Sequence, residues 1–111
     1  MTHANLPDRL PVGAQNLLAI SQGMLASAKA DDWEAVIEAE EIRRPMIDEV
    51  VAQGAPNDAA PAEWMRELLE ELQTLNDRVV ALGEERKAEI RSDLSEVQTG
   101  SKAVKAYDPE R

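Results

Sequence analysis

The sequence lacks cysteine and phenylalanine altogether, and aromatic residues of all kinds make up only 3% of it. Without cysteine the chain cannot form disulfides, zinc sites with thiolate ligands or a cysteine nucleophile. Its single histidine, His3, stands near the N-terminus, which argues against a serine–histidine–aspartate triad and against a histidine-bearing di-iron site. We therefore expect no catalytic residue, no metal site and no cofactor.

Positive charge and long apolar runs are also scarce. The 22 acidic residues outnumber 12 basic ones and give a formal net charge of −10, whereas proteins that bind nucleic acid normally present a basic surface. No apolar run approaches the roughly 20 residues of a membrane-spanning helix, and residues 1–11 lack the apolar stretch of a signal peptide. We expect a cytoplasmic protein with no nucleic-acid partner and no membrane insertion.

What remains is a chain rich in Leu, Ile, Val, Met and Ala, a composition that favours helices packed on helices. Apolar residues recur at alternating spacings of three and four, which is typical of helices with one buried face. Gly54 and Pro56 mark one break, and Thr99-Gly100 marks another. This pattern predicts three main helices and a short fourth one, near residues 14–30, 32–52, 61–98 and 101–107.

The predicted fold is all-α: an antiparallel three-helix bundle or coiled coil with a long third helix and a short C-terminal fourth helix. Residues 1–12 are interpreted as a mobile tail, although Leu6, Leu10 and Val12 could still pack onto the bundle. The bundle itself is assigned to residues 13–98, and residues 99–111 to the short helix and a tail. The apolar stripes predict a core that contains Leu18, Leu25, Ile37, Leu68, Leu72, Leu75 and Val79.

Three arginines stand out against the acidic background. Arg43 and Arg44 follow Glu40 by three and four residues, a spacing that favours ion pairs along one helix. Alternatively, one of them could cross the bundle to fix helix register or meet a partner's carboxylate. Arg86 interrupts the apolar stripe of the third helix, where it could extend its charged end to solvent or contact a partner.

Four segments follow one another in a distinctive order. They are Ala14 to Leu25, Ala30-Asp31-Asp32-Trp33-Glu34, Arg43-Arg44-Pro45 and Lys102 to Tyr107. This order resembles the FliT-type flagellar export chaperones, which tend to show a leucine-rich helix, Met-Leu, small residues, Asp-Trp, an apolar helix with Arg-Arg, and a C-terminal Lys-Ala…Ala-Tyr segment.

The resemblance implies a non-enzymatic chaperone that binds the C-terminal segment of the flagellar filament-capping protein and escorts it to the type III export machinery. It also implies contacts with the export ATPase complex and the export gate, and a C-terminal helix that covers part of the binding surface. On this basis we expect a switchable partner-binding surface in which the last two of five residues cover the first three. These residues are Ile90, Leu94, Val97, Val104 and Tyr107.

Two other functions fit parts of the pattern. A coiled-coil dimerisation or adaptor module would use the same exposed stripe for self-association. A small all-helical chorismate mutase would also carry a long helix that resembles residues 71–86, but its dianionic substrate needs several converging basic side chains. The third helix is acidic here, and Arg66, Arg78 and Arg86 are scattered around it, which makes the enzyme the less favoured alternative.

Overall fold

The computed structural model describes residues 6–56 and 60–107, with side chains described as far as residue 97. Every regular element within these ranges is an α-helix, which confirms the predicted fold class. The four helices are α1 (Leu6–Arg9), α2 (Val12–Lys29), α3 (Trp33–Gly54) and α4 (Glu63–Tyr107). The chain divides into two compact units, residues 1–80 and 81–111, so that α4 contributes to both.

The segment before α2 packs onto the first unit instead of forming a tail from residue 6 onward. Leu6 and Leu10 are almost completely buried, so the alternative in which they contact the bundle is confirmed for these two residues. It is wrong for Val12, whose side chain is 71% exposed. Arg9 holds α1 against α4, because its two terminal nitrogens donate to the two carboxylate oxygens of Glu67 at 2.7 and 2.5 Å. This hydrogen-bonded carboxylate raises the pKa of the Arg9 guanidinium above its ordinary value.

Three residues connect α2 to α3 in a sharp turn. Asp31 adopts a left-handed backbone conformation with φ 61°, which short polar residues tolerate better than most. Its carboxylate accepts a 2.7 Å hydrogen bond from the Trp33 indole. Asp32 caps α3 by accepting from the Ala35 backbone at 3.2 Å. Asp32 is therefore the N-cap of α3.

Helices α2 and α3 run antiparallel and share most of the core. Gly13 lies beside Val50, where an added Cβ would stand 3.9 Å from a Val50 methyl carbon. Eight residues further along α2, Ser21 receives a 3.4 Å hydrogen bond from Arg43. Because rising numbers on α2 meet falling numbers on α3, the two helices point in opposite directions. Pro45 lies within α3, which continues through it.

The first half of α4 runs back along α3. The contact is closest at Gly54, where an added Cβ would stand 2.6 Å from Met65 Sδ and 2.7 Å from the Trp64 ring. Glycine thus allows the end of α3 and the beginning of α4 to approach each other. The backbone N–H of Ala62 donates to the Gly54 carbonyl at 2.8 Å, which links the residue before α4 to the end of α3.

The core of the first unit is aliphatic, as its composition predicts. Four of the seven predicted core residues are buried, and Leu72 and Val79 are half-buried. The prediction for Ile37 is wrong, because its side chain is 60% exposed while the neighbouring Val36 is buried. Successive residues lie about 100° apart around a helix, so Val36 faces the packed side of α3 while Ile37 lies outside it. The four buried residues are Leu18, Leu25, Leu68 and Leu75.

The predicted break at Thr99-Gly100 is also wrong. The helix continues without interruption from Glu63 to Tyr107, so the short C-terminal helix of the prediction is the end of α4. One glycine inside a helix costs only about 1 kcal/mol relative to alanine, and Lys102 to Ala106 contains several good helix formers. A continuous helix does not fold residues 101–107 back over Ile90, Leu94 and Val97.

Candidate partner-binding surfaces

The second unit carries three large apolar side chains on its surface. Ile90, Leu94 and Val97 are 43%, 55% and 65% exposed. Their spacings of four and three residues put them on one side of α4. Most neighbouring positions are charged, including Arg91, Asp93 and Glu96, so the apolar stripe stands out from a polar helix. Val104 and Tyr107 lie in the same helix, but their side chains fall outside the described residues.

Arg86 is half-buried one turn before this stripe, and it pairs along its own helix. Its Nη1 lies 3.1 Å from Glu89 Oε2, and Lys87 forms a similar 3.4 Å pair with Glu84. Exposed pairs of this kind contribute little to the free energy of unfolding. The pair with Glu89 lies along α4 itself, and the predicted contact of Arg86 with a partner stays a prediction.

The first unit also leaves apolar side chains on its surface, and the sequence pattern missed this. Ile37 and Ile42 on α3 are about 60% exposed, and Leu69 on α4 is 47% exposed. Ile37 was predicted to lie in the core, so the pattern recognised its apolar helix face but not that this face lacks a cover. Such a surface is indicated when an apolar stripe is wider than the neighbouring helix can cover.

Two grooves follow the line where α3 meets α4 in the first unit. One has a volume of about 330 Å³ and is bordered by Met24, Val36, Ile37 and Val79 among others. The second, hereafter the Arg43 groove, has a volume of about 210 Å³. Asn76 borders both, so they are neighbours. The lining of the Arg43 groove consists of Arg43, Ile47, Leu69, Leu72, Gln73 and Asn76.

Arg43 forms the centre of a small polar network between α2 and α3. Its Nη2 donates to Glu40 Oε2 at 2.6 Å, and its Nη1 donates to the Ser21 hydroxyl at 3.4 Å. The other oxygen of Glu40 lies 3.5 Å from Arg44 Nε, so one carboxylate serves two arginines. The predicted Glu40 pairs are confirmed, and Arg43 additionally reaches across to α2 as the alternative interpretation required.

The Nε–H group of Arg43 is left without a hydrogen-bond partner although it is buried. The whole side chain is only 12% exposed. An unpaired buried donor costs about 1–3 kcal/mol, and more when it carries charge. Arg44, with a side chain that is 73% exposed, carries no such cost. The two adjacent arginines therefore differ. Arg44 is exposed to solvent, whereas Arg43 has a buried donor without a partner.

The remaining chemical features of the described residues are modest. Within them, no three acidic or histidine side chains come together in a way that could hold a metal ion. In the same part of the chain, no helix combines the length and apolar character that a transmembrane segment requires. The acidic residues of α3 and α4 are mainly exposed on helix surfaces.

The described residues form an all-helical structure with exposed apolar side chains on α3 and α4, and apolar helix faces of this kind can bind amphipathic partner segments. The family model for the flagellar protein FliT matches residues 13–109. This match spans most of the chain, and the protein therefore belongs to the FliT family. No curated protein and no solved structure gives a significant match. Membership in this chaperone family favours a chaperone over the chorismate mutase alternative.

Proposed function

We propose that the protein is a cytoplasmic export chaperone for the flagellar filament-capping protein. In this proposal it binds the C-terminal segment of that client and presents it to the export ATPase complex and then to the export gate of the type III machinery. Membership of the FliT family supports a flagellar chaperone role. The observation that carries the choice of surface is the exposed stripe of Ile90, Leu94 and Val97 in an otherwise polar helix.

An amphipathic client segment is the kind of partner that such a stripe fits. Helices bind one another through apolar side chains at spacings of three and four residues, which is the spacing of Ile90, Leu94 and Val97. Val104 and Tyr107 extend the same spacing along the helical backbone. We include them in the proposed surface on this basis, which makes the surface about 25 Å long at 1.5 Å per residue.

The uninterrupted α4 changes the expected role of the C-terminal residues. A cover over the stripe would have to fold back, whereas residues 101–107 continue the helix. In the proposed complex they lengthen the surface instead of hiding it. Deleting residues 99–111 should therefore weaken client binding and leave the first unit folded. Tighter binding after the deletion would instead support a cover.

The direct test is calorimetry of the full chain with a C-terminal fragment of the cap protein. Leu94→Glu should weaken binding by at least about tenfold, because it places a charge in the centre of an apolar contact. Ala88→Glu is the matched control, since Ala88 is exposed on the opposite side of α4 and adds the same charge. Equal affinities for both variants would show that the client does not use the stripe.

A second function uses the same observation. Two copies of the chain could bury their stripes against each other, as in a dimerisation or adaptor module. Sedimentation of the chain with and without the cap-protein fragment separates the two functions. A stable dimer that the fragment does not alter, and that Leu94→Glu dissociates, supports the module. A complex that contains the fragment supports the chaperone.

A further inference from the structure

The Arg43 groove combines an apolar lining with a single charged side chain. Ile47, Leu69 and Leu72 supply its apolar surface, and among the described residues Arg43 is the only charged one that borders it. The Gln73 amide is already engaged, because it donates to Asp77 at 2.8 Å. A ligand entering this groove therefore meets aliphatic side chains and one guanidinium group.

The guanidinium group has an unused donor that the protein itself does not satisfy. One oxygen of Glu40 accepts from Arg43 Nη2, and the other lies beside Arg44. The Ser21 hydroxyl accepts from Nη1 and donates to the Leu17 carbonyl at 2.8 Å. With these neighbours engaged, the Nε–H group has no acceptor. Two arginines share one carboxylate, so this local network carries a net positive charge in a protein of net charge −10.

We propose that the Arg43 groove receives an apolar segment of the client that places an Asp or Glu carboxylate against Arg43. The inference rests on the proposed chaperone function and adds the chemistry by which the client is recognised. A carboxylate is favoured over a neutral acceptor because it supplies the oxygen that Nε–H lacks and also offsets the excess positive charge. Flanking aliphatic side chains of the client fill the space beside Leu69 and Leu72.

Access to Nε requires a rotamer change of Arg43 or of a lining side chain, because Nε is shielded from water. Leu72 is half-buried and Leu69 is exposed, so the groove can rearrange at its outer edge. The inserted client side chain displaces the lining side chain that shields Nε. The new charge-assisted hydrogen bond compensates for the free energy of this rearrangement. Arg43 thereby becomes a specificity determinant, whereas Arg44 stays in solvent.

The test compares two conservative substitutions at adjacent positions. Arg43→Lys keeps the positive charge but removes the Nε donor, since lysine presents a single ammonium group. Arg44→Lys makes the same change at an exposed site that pairs with the same Glu40. Binding of the cap-protein C-terminal fragment to full-length protein is measured by calorimetry. We expect Arg43→Lys to weaken binding by about tenfold or more, and Arg44→Lys to change it by less than about twofold.

A second part of the test changes the acidic residues of the fragment. Each Asp or Glu is changed in turn to Asn or Gln, and one change should reproduce the loss seen with Arg43→Lys without adding to it when the two are combined. Unchanged affinity of Arg43→Lys would overturn the inference while leaving the chaperone function intact. Equal losses for both lysine variants would indicate general charge attraction and would also overturn it.

A measurement on the unmodified protein covers the case in which Arg43→Lys does not fold. The Arg43 Nε–H resonance in a nitrogen–proton spectrum should shift when the fragment is added, whereas that of Arg44 should not. A resonance that stays in place at saturation would contradict the inference.

If the fragment does not bind at all, the cap-protein assignment fails, and the groove is tested with 4-methylpentanoate. A shift of the same resonance with this carboxylate, but not with its amide, supports the inference for another acidic client. No shift with either compound would overturn it.

Discussion

The two units of the molecule use one helix in different ways. Up to Val80, α4 buries Met65, Leu68 and Leu75. From Ala81 onward, Ile90, Leu94 and Val97 repeat at similar spacings but remain exposed. The periodicity of a helix therefore indicates which face is apolar, but it does not indicate whether the protein supplies its own cover. In this protein that difference separates the folded core from the proposed binding surface.

The largest effect is expected where the first unit is fully buried. Leu68 is 0% exposed, so Leu68→Ala should lower the free energy of unfolding by about 2–5 kcal/mol through lost contacts and a cavity. Urea denaturation measures the change. Leu69→Ala is the control on the same helix, because its side chain is about half exposed and the loss should be much smaller. Similar losses for both variants would contradict the assigned helix face.

The contact between α3 and α4 can be tested with two glycines. Gly54→Ala should destabilise the protein by about 1–3 kcal/mol, because the new methyl group would overlap with Trp64 and Met65. Gly23→Ala adds the same group in the middle of α2 where nothing lies within 4 Å. It should stabilise the protein by about 0.5–1 kcal/mol, since alanine loses less entropy in a helix. Thermal unfolding of both variants measures the two changes in stability, which should have opposite signs.

The Arg9–Glu67 pair should have a smaller, salt-dependent effect. A double-mutant cycle with Arg9→Ala and Glu67→Ala should give a favourable coupling that decreases as sodium chloride is added, because the pair is partly exposed to solvent. Arg9 has a raised pKa, so its contribution is complete at every pH below its unfolded-state pKa and is lost only as the pH rises through the folded-state value. A change of coupling between pH 6 and 9 would thus not come from Arg9.

The smallest effect on unfolding is expected in the second unit. Leu94 is 55% exposed, so Leu94→Ala should change the free energy of unfolding by less than about 0.5 kcal/mol. This result would sharpen the contrast with Leu68. A loss that grows with protein concentration would instead show that a second copy covers the stripe, and denaturation at two concentrations separates these outcomes.

Much of the architecture could be predicted from the sequence because its breaks are chemically clear. Gly54 and Pro56 end α3, and Asp32 caps its beginning. Gly100 did not act as a break, since a single glycine costs too little to end a helix whose flanks favour helix. The sequence left open whether Leu6 and Leu10 would be buried, because a four-residue helix shows no periodicity.

The candidate surfaces could be predicted only in part. The stripe at Ile90, Leu94 and Val97 follows from spacing alone. The exposure of Ile37 depends on how far α2 reaches around α3, which is a property of packing. The Arg43 Nε–H group is left unpaired because of how Glu40 and Ser21 are placed around the guanidinium group. The sequence supplies only the spacing of Arg43 from Glu40.

The positions of the two tryptophans determine what optical spectroscopy can detect. Trp33 is the first residue of α3, and Trp64 lies beside Gly54, its last residue, so the two indoles lie near opposite ends of a helix about 33 Å long. Single-tryptophan variants would therefore report separately on the two ends of the first unit. Tyr107 is the only aromatic residue after Val80. Tryptophan fluorescence consequently reports on the first unit and not on the second. A label placed near Leu94 would be needed to observe client binding in the second unit.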